Sequence, residues 1–200
     1  TFFCNEIPFD VIFHHYNPKK SELIYEDRSV KVTTIPLKHR VPCCGFLFEE
    51  KPGDRHIIRE MIDFYQIPVS LIHKIKQGMD FTNPEGEIIP NDKLTKPANA
   101  PFRFAYCSDT AYSEKIIPLI EGVDCLFHEA TFAEEDAARA KSTLHSTAAQ
   151  AGKIAKKANI KQLIIGHYSA RYSNKNILLN EAKQHFENTF AADDMMVFEF

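Results

Sequence analysis

Short apolar or alternating runs fill the first fifty residues: Phe9-Asp10-Val11-Ile12-Phe13, Leu23-Ile24-Tyr25, Val30-Lys31-Val32-Thr33-Thr34-Ile35 and Gly45-Phe46-Leu47-Phe48. Each has the length of a strand, and Asn17-Pro18, Glu26-Asp27-Arg28 and Pro42 punctuate them, which predicts a β-meander. Residues 51–97 change character. Between Pro52-Gly53 and Lys96-Pro97 lie a helical pattern at Ile57, Ile58, Met61, Ile62 and Tyr65, a basic stretch from His73 to Gly78, and a turn at Asn83-Pro84-Glu85-Gly86. Turn-formers at both ends mark an inserted arm with little core of its own. From Phe102 onward strands and helices alternate. Residues 102–106, 123–127 and 163–166 predict strands, and Ile116, Ile117, Leu119 and Ile120 predict a helix from about Ser113. Thr147 and Gln150 form a capping-box signature ahead of an apolar stripe at Ala148, Ala151, Ile154, Ala155 and Ala158, with Lys153, Lys156 and Lys157 outside it. A last helix over 177–186 and a terminal strand over 196–200 complete an α/β pattern.

Composition narrows the class. The 200 residues are 44% hydrophobic and 26% charged, with sixteen Phe, seven Tyr and no Trp, enough large apolar groups for a packed core. A net charge of −3 and a pI near 6.3 exclude a broadly basic nucleic-acid binder, so contact with RNA has to come from local Lys/Arg clusters. Five cysteines, Cys4, Cys43, Cys44, Cys107 and Cys125, show no zinc-ribbon spacing and predict reduced thiols in a cytosolic protein. No run approaches the ~18 apolar residues of a membrane span, so a soluble protein is expected. There is no initiating Met, and the first residues read like the middle of a strand-rich domain, so a piece of a longer chain is expected.

Three consecutive predicted strands deliver metal-capable or proton-carrying residues at their C-terminal ends: Asp109, then His128-Glu129, then His167. Ligand sites in α/β sheets gather at that edge. A single Asp or His after a strand is ordinarily a turn or cap residue, but three in register argue for a site. His39, after a strand, and His145, before a helix, add two more loop positions. Imidazole and carboxylate together suit zinc, and one carboxylate commonly bridges two zinc ions. Of the other histidines, His56, His73 and His185 fall on helical or arm segments as surface residues, and His128 is expected to be a buried structural one.

Ser108-Asp109-Thr110, His128-Glu129-Ala130-Thr131-Phe132, His145-Ser146-Thr147 and Gly166-His167-Tyr168-Ser169-Ala170-Arg171-Tyr172 stand in the order and spacing of ribonuclease Z, the tRNA 3′-processing endonuclease of the metallo-β-lactamase fold. His39-Arg40-Val41-Pro42 also resembles a metal motif of that family. The resemblance implies a metallo-β-lactamase αββα sandwich, incomplete at its N-terminal side. Residues 1–200 would be a partial domain, and residues 51–97 the family's inserted tRNA-binding arm. It further implies that His39 binds one zinc, Asp109 bridges two, and His167 binds the second. Glu129 and His145 resemble the family's acid pair, in which the carboxylate orients the imidazole that protonates the departing ribose oxygen. Precursor tRNA as substrate, a homodimer and a cytoplasmic location follow from the same resemblance.

One motif is missing. The family's His-x-His-x-Asp-His, which supplies most zinc ligands and the general base, does not occur in these residues, and His14-His15 cannot replace it because adjacent strand side chains point to opposite faces. The chain is therefore expected to be the C-terminal two-thirds of a ribonuclease Z and inactive alone, the full-length protein being the zinc enzyme. In the arm, Lys51, Arg55, Arg59, Lys74, Lys76, Lys93 and Lys96 are candidate phosphate contacts, with Lys74 and Lys76 the chosen pair. The family's Gly-Pro at the arm tip is not matched at Ile67-Pro68-Val69-Ser70. Arg171, beside the ligand loop, is a candidate to hold phosphate or to brace that loop. The alternatives are a general phosphodiesterase of the same fold and a non-catalytic RNA-binding or dimerisation module.

Overall fold

The computed structural model describes residues 10–199. The alternating runs of the first fifty residues become strands β1 (Leu23–Glu26), β2 (Val30–Pro36) and β3 (Cys44–Glu50), paired antiparallel, with β2 and β3 in register from Val30 opposite Glu50 to Pro36 opposite Cys44. The expected strand over 9–13 does not form at residues 10–13, and Phe9, like Cys4, lies outside the described residues. Val11, Ile12 and Phe13 are exposed. Apolar alternation is insufficient there because a strand needs a neighbouring ladder to satisfy its backbone.

Residues 51–97 form a compact insert with a small apolar cluster of its own. Its elements are β4 (His56–Ile57), α1 (Arg59–Phe64), α2 (Val69–Lys76), β5 (Phe81–Thr82), β6 (Ile88–Ile89), α3 (Asn91–Leu94) and β7 (Thr95–Lys96). Ile67, Ile75, Phe81, Ile89 and Leu94 are buried together, apart from the main core. The buried Asn91 side chain ties the cluster by donating to the carbonyls of Ile75 at 2.7 Å and Met79 at 2.8 Å. The insert leaves and re-enters through adjacent antiparallel strands. Glu50 N–H donates to the Phe102 carbonyl at 2.9 Å, so its two ends are held side by side.

The second half supplies β8 (Arg103–Cys107), α4 (Ile117–Ile120), β9 (Cys125–Glu129), α5 (Ala137–Thr143), α6 (Ala148–Lys157), β10 (Gln162–Gly166), α7 (Asn176–Lys183) and β11 (Thr189–Ala191). One seven-stranded sheet results, in the order β1-β2-β3-β8-β9-β10-β11, antiparallel as far as β8 and parallel from β8 to β11. The predicted capping box at α6 is present, with Thr147 accepting from Gln150 N–H and the Gln150 side chain returning to Thr147 N–H. The terminal strand over 196–200 is corrected: the last strand is β11, and residues 196–199 are not in a strand. Met195, at φ 65°, turns the chain away before an extended run could continue.

The core lies between one face of this sheet and the helices. Leu47, Ala105, Leu126, Leu163 and Ile165 from the strands meet Ile120, Ala151, Ile154, Ala155, Leu178 and Ala182 from α4, α6 and α7. Small residues set the spacing. A Cβ on Gly152 of α6 would come within 2.5 Å of the Ala182 carbonyl oxygen of α7, so only glycine permits that helix–helix contact. His185, expected at the surface, is half-buried at the same crossing. The other sheet face is aromatic, with Tyr106 stacked on Phe127 at 4.8 Å and Phe48 tilted against Phe104 at 6.1 Å. No helix among the described residues is long and apolar enough to cross a membrane. The thiols of Cys43, Cys44, Cys107 and Cys125 are unpaired, and burial pushes those of Cys107 and Cys125 up to about 12.

His128 sits on β9 with no exposed surface, as its strand position predicted. Its Nδ1 lies 2.7 Å from the Glu129 carbonyl oxygen, while its Nε2 is buried without a partner. Burial outweighs the pull of Glu129 and lowers its pKa from the ordinary value of 6.5. The unfolded chain therefore takes up this proton first as pH falls. The His128 contribution is intact above 6.5 and is lost on acidification toward the lower folded value. Urea midpoints measured from pH 7.5 to 5 should fall more steeply for the wild type than for His128→Gln, and parallel slopes would contradict this assignment.

Candidate active site

The parallel strands converge on one edge, and the loops that follow them carry the candidate residues. Two of those residues sit in a backbone region that side chains rarely adopt: Asp109, after β8, has φ 58°, and His167, after β10, has φ 59°. A non-glycine residue there costs about 1–2 kcal/mol, which the surrounding contacts have to offset. Leu144, at φ 60°, ends α5 and turns His145 toward the same edge. At Gly166 a Cβ would meet the Phe127 ring at 2.6 Å, so glycine lets the end of β10 close on β9 and fixes where His167 emerges.

Glu129 is the centre. Its side chain has no exposed surface, and four donors converge on its carboxylate. Thr110 N–H donates to Oε1. Ser146 N–H reaches Oε2 at 3.0 Å, the Thr131 hydroxyl reaches the same oxygen at 2.6 Å, and His145 Nδ1 lies 2.9 Å from Oε1. Ser146 Oγ also donates to the Thr110 carbonyl at 2.7 Å, which closes the ring of loops. A buried carboxylate is tolerable only when donors replace its lost water, and here the loops around the sheet edge supply them.

Asp109, Glu129, His145 and His167 each place a ligand atom within 4.8 Å of the others. His167 Nε2 stands 3.3 Å from Asp109 Oδ1, both groups partly exposed. His39, His145 and His167 share a pattern in which Nδ1 is engaged by a protein oxygen, and at His167 the other nitrogen, Nε2, is the one beside Asp109. His39 Nδ1 lies 3.0 Å from the Leu144 carbonyl, His145 Nδ1 is on Glu129, and His167 Nδ1 is 3.0 Å from Thr131 Oγ1. Such outer contacts are how proteins hold imidazoles for a metal or for proton transfer. The donor chemistry, an imidazole nitrogen beside a carboxylate, fits a divalent cation at Asp109 and His167.

His39 is outside that four-residue group. Its ring packs beside His145 at a centroid separation of 5.1 Å, and His167 stacks on His145 at 5.4 Å. Arg171 is engaged with Asp136 at 3.6 Å and lies over the Phe132 ring at 5.7 Å. In the insert, Lys51 pairs with Glu26 and Arg55 with Asp92, each at 2.7 Å, so these two are occupied. Lys74 is exposed and Lys76 half-buried at the end of α2. Two residues apart, they stand about 200° apart around the helix, on either side of the buried Ile75. Sequence reasoning gave no role to Thr110, Thr131 and Ser146. Their signal was a hydroxyl residue within two positions of Asp109, Glu129 and His145.

Residues 98–168 match the Beta-lactamase superfamily domain. Among relatives, the ribonuclease Z of Parabacteroides distasonis is 58% identical over 97% of this chain and 64% of its own length. That of Bacteroides thetaiotaomicron is 55% identical over 98% of this chain and 62% of its own length. The chain thus spans a little under two thirds of these relatives. Among solved structures, the metallo-β-lactamase fold protein YhfI from Bacillus subtilis superposes with a TM-score of 0.58 at 18% identity, covering 92% of this chain and 54% of that one. Human tRNase Z, short form, superposes with a TM-score of 0.51 at 20% identity, covering 91% of this chain and 47% of that one. The chain therefore has the metallo-β-lactamase fold and resembles, along almost its whole length, the ribonuclease Z sequences of that superfamily.

Proposed function

We propose that the full-length protein is a zinc-dependent endoribonuclease that removes the 3′ trailer from precursor tRNA, leaving a 3′-hydroxyl on the tRNA and a 5′-phosphate on the trailer. The observation that carries this reading is the His145–Glu129 pair, 2.9 Å apart, beside Asp109 and His167 in a chain 58% identical to a ribonuclease Z. Asp109 and His167 would hold the cation, with His39 a further ligand through its free Nε2. When bound, the cation supplies Lewis-acid charge to phosphate oxygens and to water. His39, Asp109 and His167 are three side chains, whereas two zinc ions each take about four ligands. The 200-residue chain alone is therefore expected to be inactive.

His145 is assigned the proton. Its Nδ1 on Glu129 leaves Nε2 of this partly exposed side chain to donate to the departing ribose oxygen. The buried carboxylate offsets the charge the ring carries while it holds two protons, and it fixes the ring's direction. The insert is assigned remote binding of the tRNA. It joins the sheet at the Arg103 end of β8, roughly 15 Å of strand from the Asp109 loop, which suits a grip on RNA away from the reacting phosphate. A cytoplasmic location and homodimerisation belong to the same proposal and rest on the resemblance.

His145→Ala in the full-length protein should slow cleavage of precursor tRNA by ~10²–10⁴, the usual worth of a general acid, with zinc content and tRNA affinity little changed. Glu129→Gln should slow cleavage too and also lower stability, because in either orientation its amide N–H₂ faces a backbone N–H, of Thr110 or of Ser146. Loss of zinc in the His145 variant would make that residue a ligand instead. Excision of residues 51–97 should abolish precursor cleavage mainly through weaker binding, while hydrolysis of a small chromogenic phosphodiester survives, because the insert has a separate core and adjoining ends. Replacing Lys74 and Lys76 should flatten the salt dependence of tRNA binding by about one unit of slope for each phosphate that is no longer neutralised. Equal loss of both activities on excision would place the insert in the catalytic fold.

A further inference from the structure

Thr131 is nearly buried, two residues beyond Glu129, and its single hydroxyl oxygen is surrounded by four polar atoms. Glu129 Oε2 is 2.6 Å away, the His167 carbonyl oxygen 2.9 Å, His167 Nδ1 3.0 Å and His145 Nδ1 3.4 Å. A hydroxyl has one proton to give and lone pairs to receive. Both the carboxylate and the carbonyl can only accept, so the Thr131 proton goes to one of them, with the shorter, charge-assisted contact to Glu129 favoured. The oxygen then has no proton for His167 Nδ1, and the remaining bonding arrangement has that nitrogen donate. His145 makes no competing claim, since its Nδ1 is nearer to both Glu129 oxygens, at 2.9 and 3.1 Å, than to Thr131.

We propose that Thr131 is a positioning residue that sets the tautomer of His167: by accepting Nδ1–H it leaves the Nε2 lone pair facing Asp109, while its own proton helps secure Glu129. The inference rests on the reading of Asp109 and His167 as cation ligands. The consequence of losing the hydroxyl is specific. With Nδ1–H unpaired, the neutral ring gains by moving its proton to Nε2, where it can donate to Asp109 Oδ1, now 3.3 Å away. That internal hydrogen bond would occupy both ligand atoms at once. One hydroxyl thereby keeps the ligand pair open and also supports the proton-donor pair.

The test uses metal-free full-length protein labelled with ¹⁵N in its histidines, recorded at pH 8, above the ordinary imidazole range. Long-range ¹H–¹⁵N correlation reads which nitrogen of each ring carries the proton, with His167→Gln identifying the signal. In the wild type and Thr131→Ser, His167 is expected to be protonated at Nδ1. In Thr131→Val, which keeps the shape without the hydroxyl, it should shift toward Nε2, and zinc affinity measured by chelator competition should fall about 10–100-fold, with Ser near wild type. An Nε2–H tautomer in the wild type would overturn the proposal, as would a folded Val variant with unchanged tautomer and affinity, or a Ser variant as impaired as Val. If the Val variant does not fold, the wild-type and Ser tautomers still decide. A wild type that binds no zinc and cuts no precursor tRNA would defeat the functional reading, a result separate from the tautomer measured without metal.

Discussion

The site is organised by the cost of burying one charge. Glu129 has no exposed surface, and a carboxylate taken out of water loses several kcal/mol unless donors replace the solvent. The replacements come from Thr110, Thr131, His145 and Ser146, which belong to loops after β8 and β9 and before α6. Satisfying the carboxylate is therefore the same act as assembling the site. Loops that donate to a common acceptor cannot drift independently, and they carry Asp109 and His145, two of the residues given a role in the proposed reaction.

The fold makes that convergence possible through small residues and backbone strain. Alanines on α6 let the helix lie close to β9 and β10, and Gly166 lets β10 approach the Phe127 ring. Asp109, Leu144 and His167 take left-handed conformations that are individually unfavourable, each followed or preceded by contacts that hold them. Strain concentrates where side chains must be aimed at a point. The insert is a second packing unit with its own cluster, attached at the sheet end away from these loops. The proposed RNA grip and the proposed chemistry thus fall on separate parts of one chain.

Much of this was legible in the residues because parallel strands are periodic and their ends are marked. The runs ending at Asp109, Glu129 and His167 announced both the strands and the edge where the site lies, and Thr147 with Gln150 announced α6. Other features depended on tertiary context. Helix α5, Ala137–Thr143, carries alanines instead of a strong apolar stripe, so its periodicity was faint even though Glu134-Glu135-Asp136 before it is a fitting acidic start. The core of the insert draws single residues from several short elements, a pattern with no period to detect. The run over 196–200 has strand composition, yet β10 is already paired by Thr189–Ala191. The role of Thr131 depends on four distances between atoms and has no signature in sequence spacing.

Asp109, Glu129, His145 and His167 stand close enough to share one ion, and the proposed division of labour among them makes Asp109 and His167 the ligands and gives the proton to Glu129 and His145. Anomalous diffraction at the zinc edge from crystals of the full-length protein tests this most directly, because it locates the metal and so identifies which side chains hold it. The account predicts zinc within about 2.0–2.2 Å of an Asp109 oxygen and of His167 Nε2, with His145 Nδ1 still on Glu129 and neither of that pair bound to metal. Zinc ligated by His145 or Glu129 would contradict it.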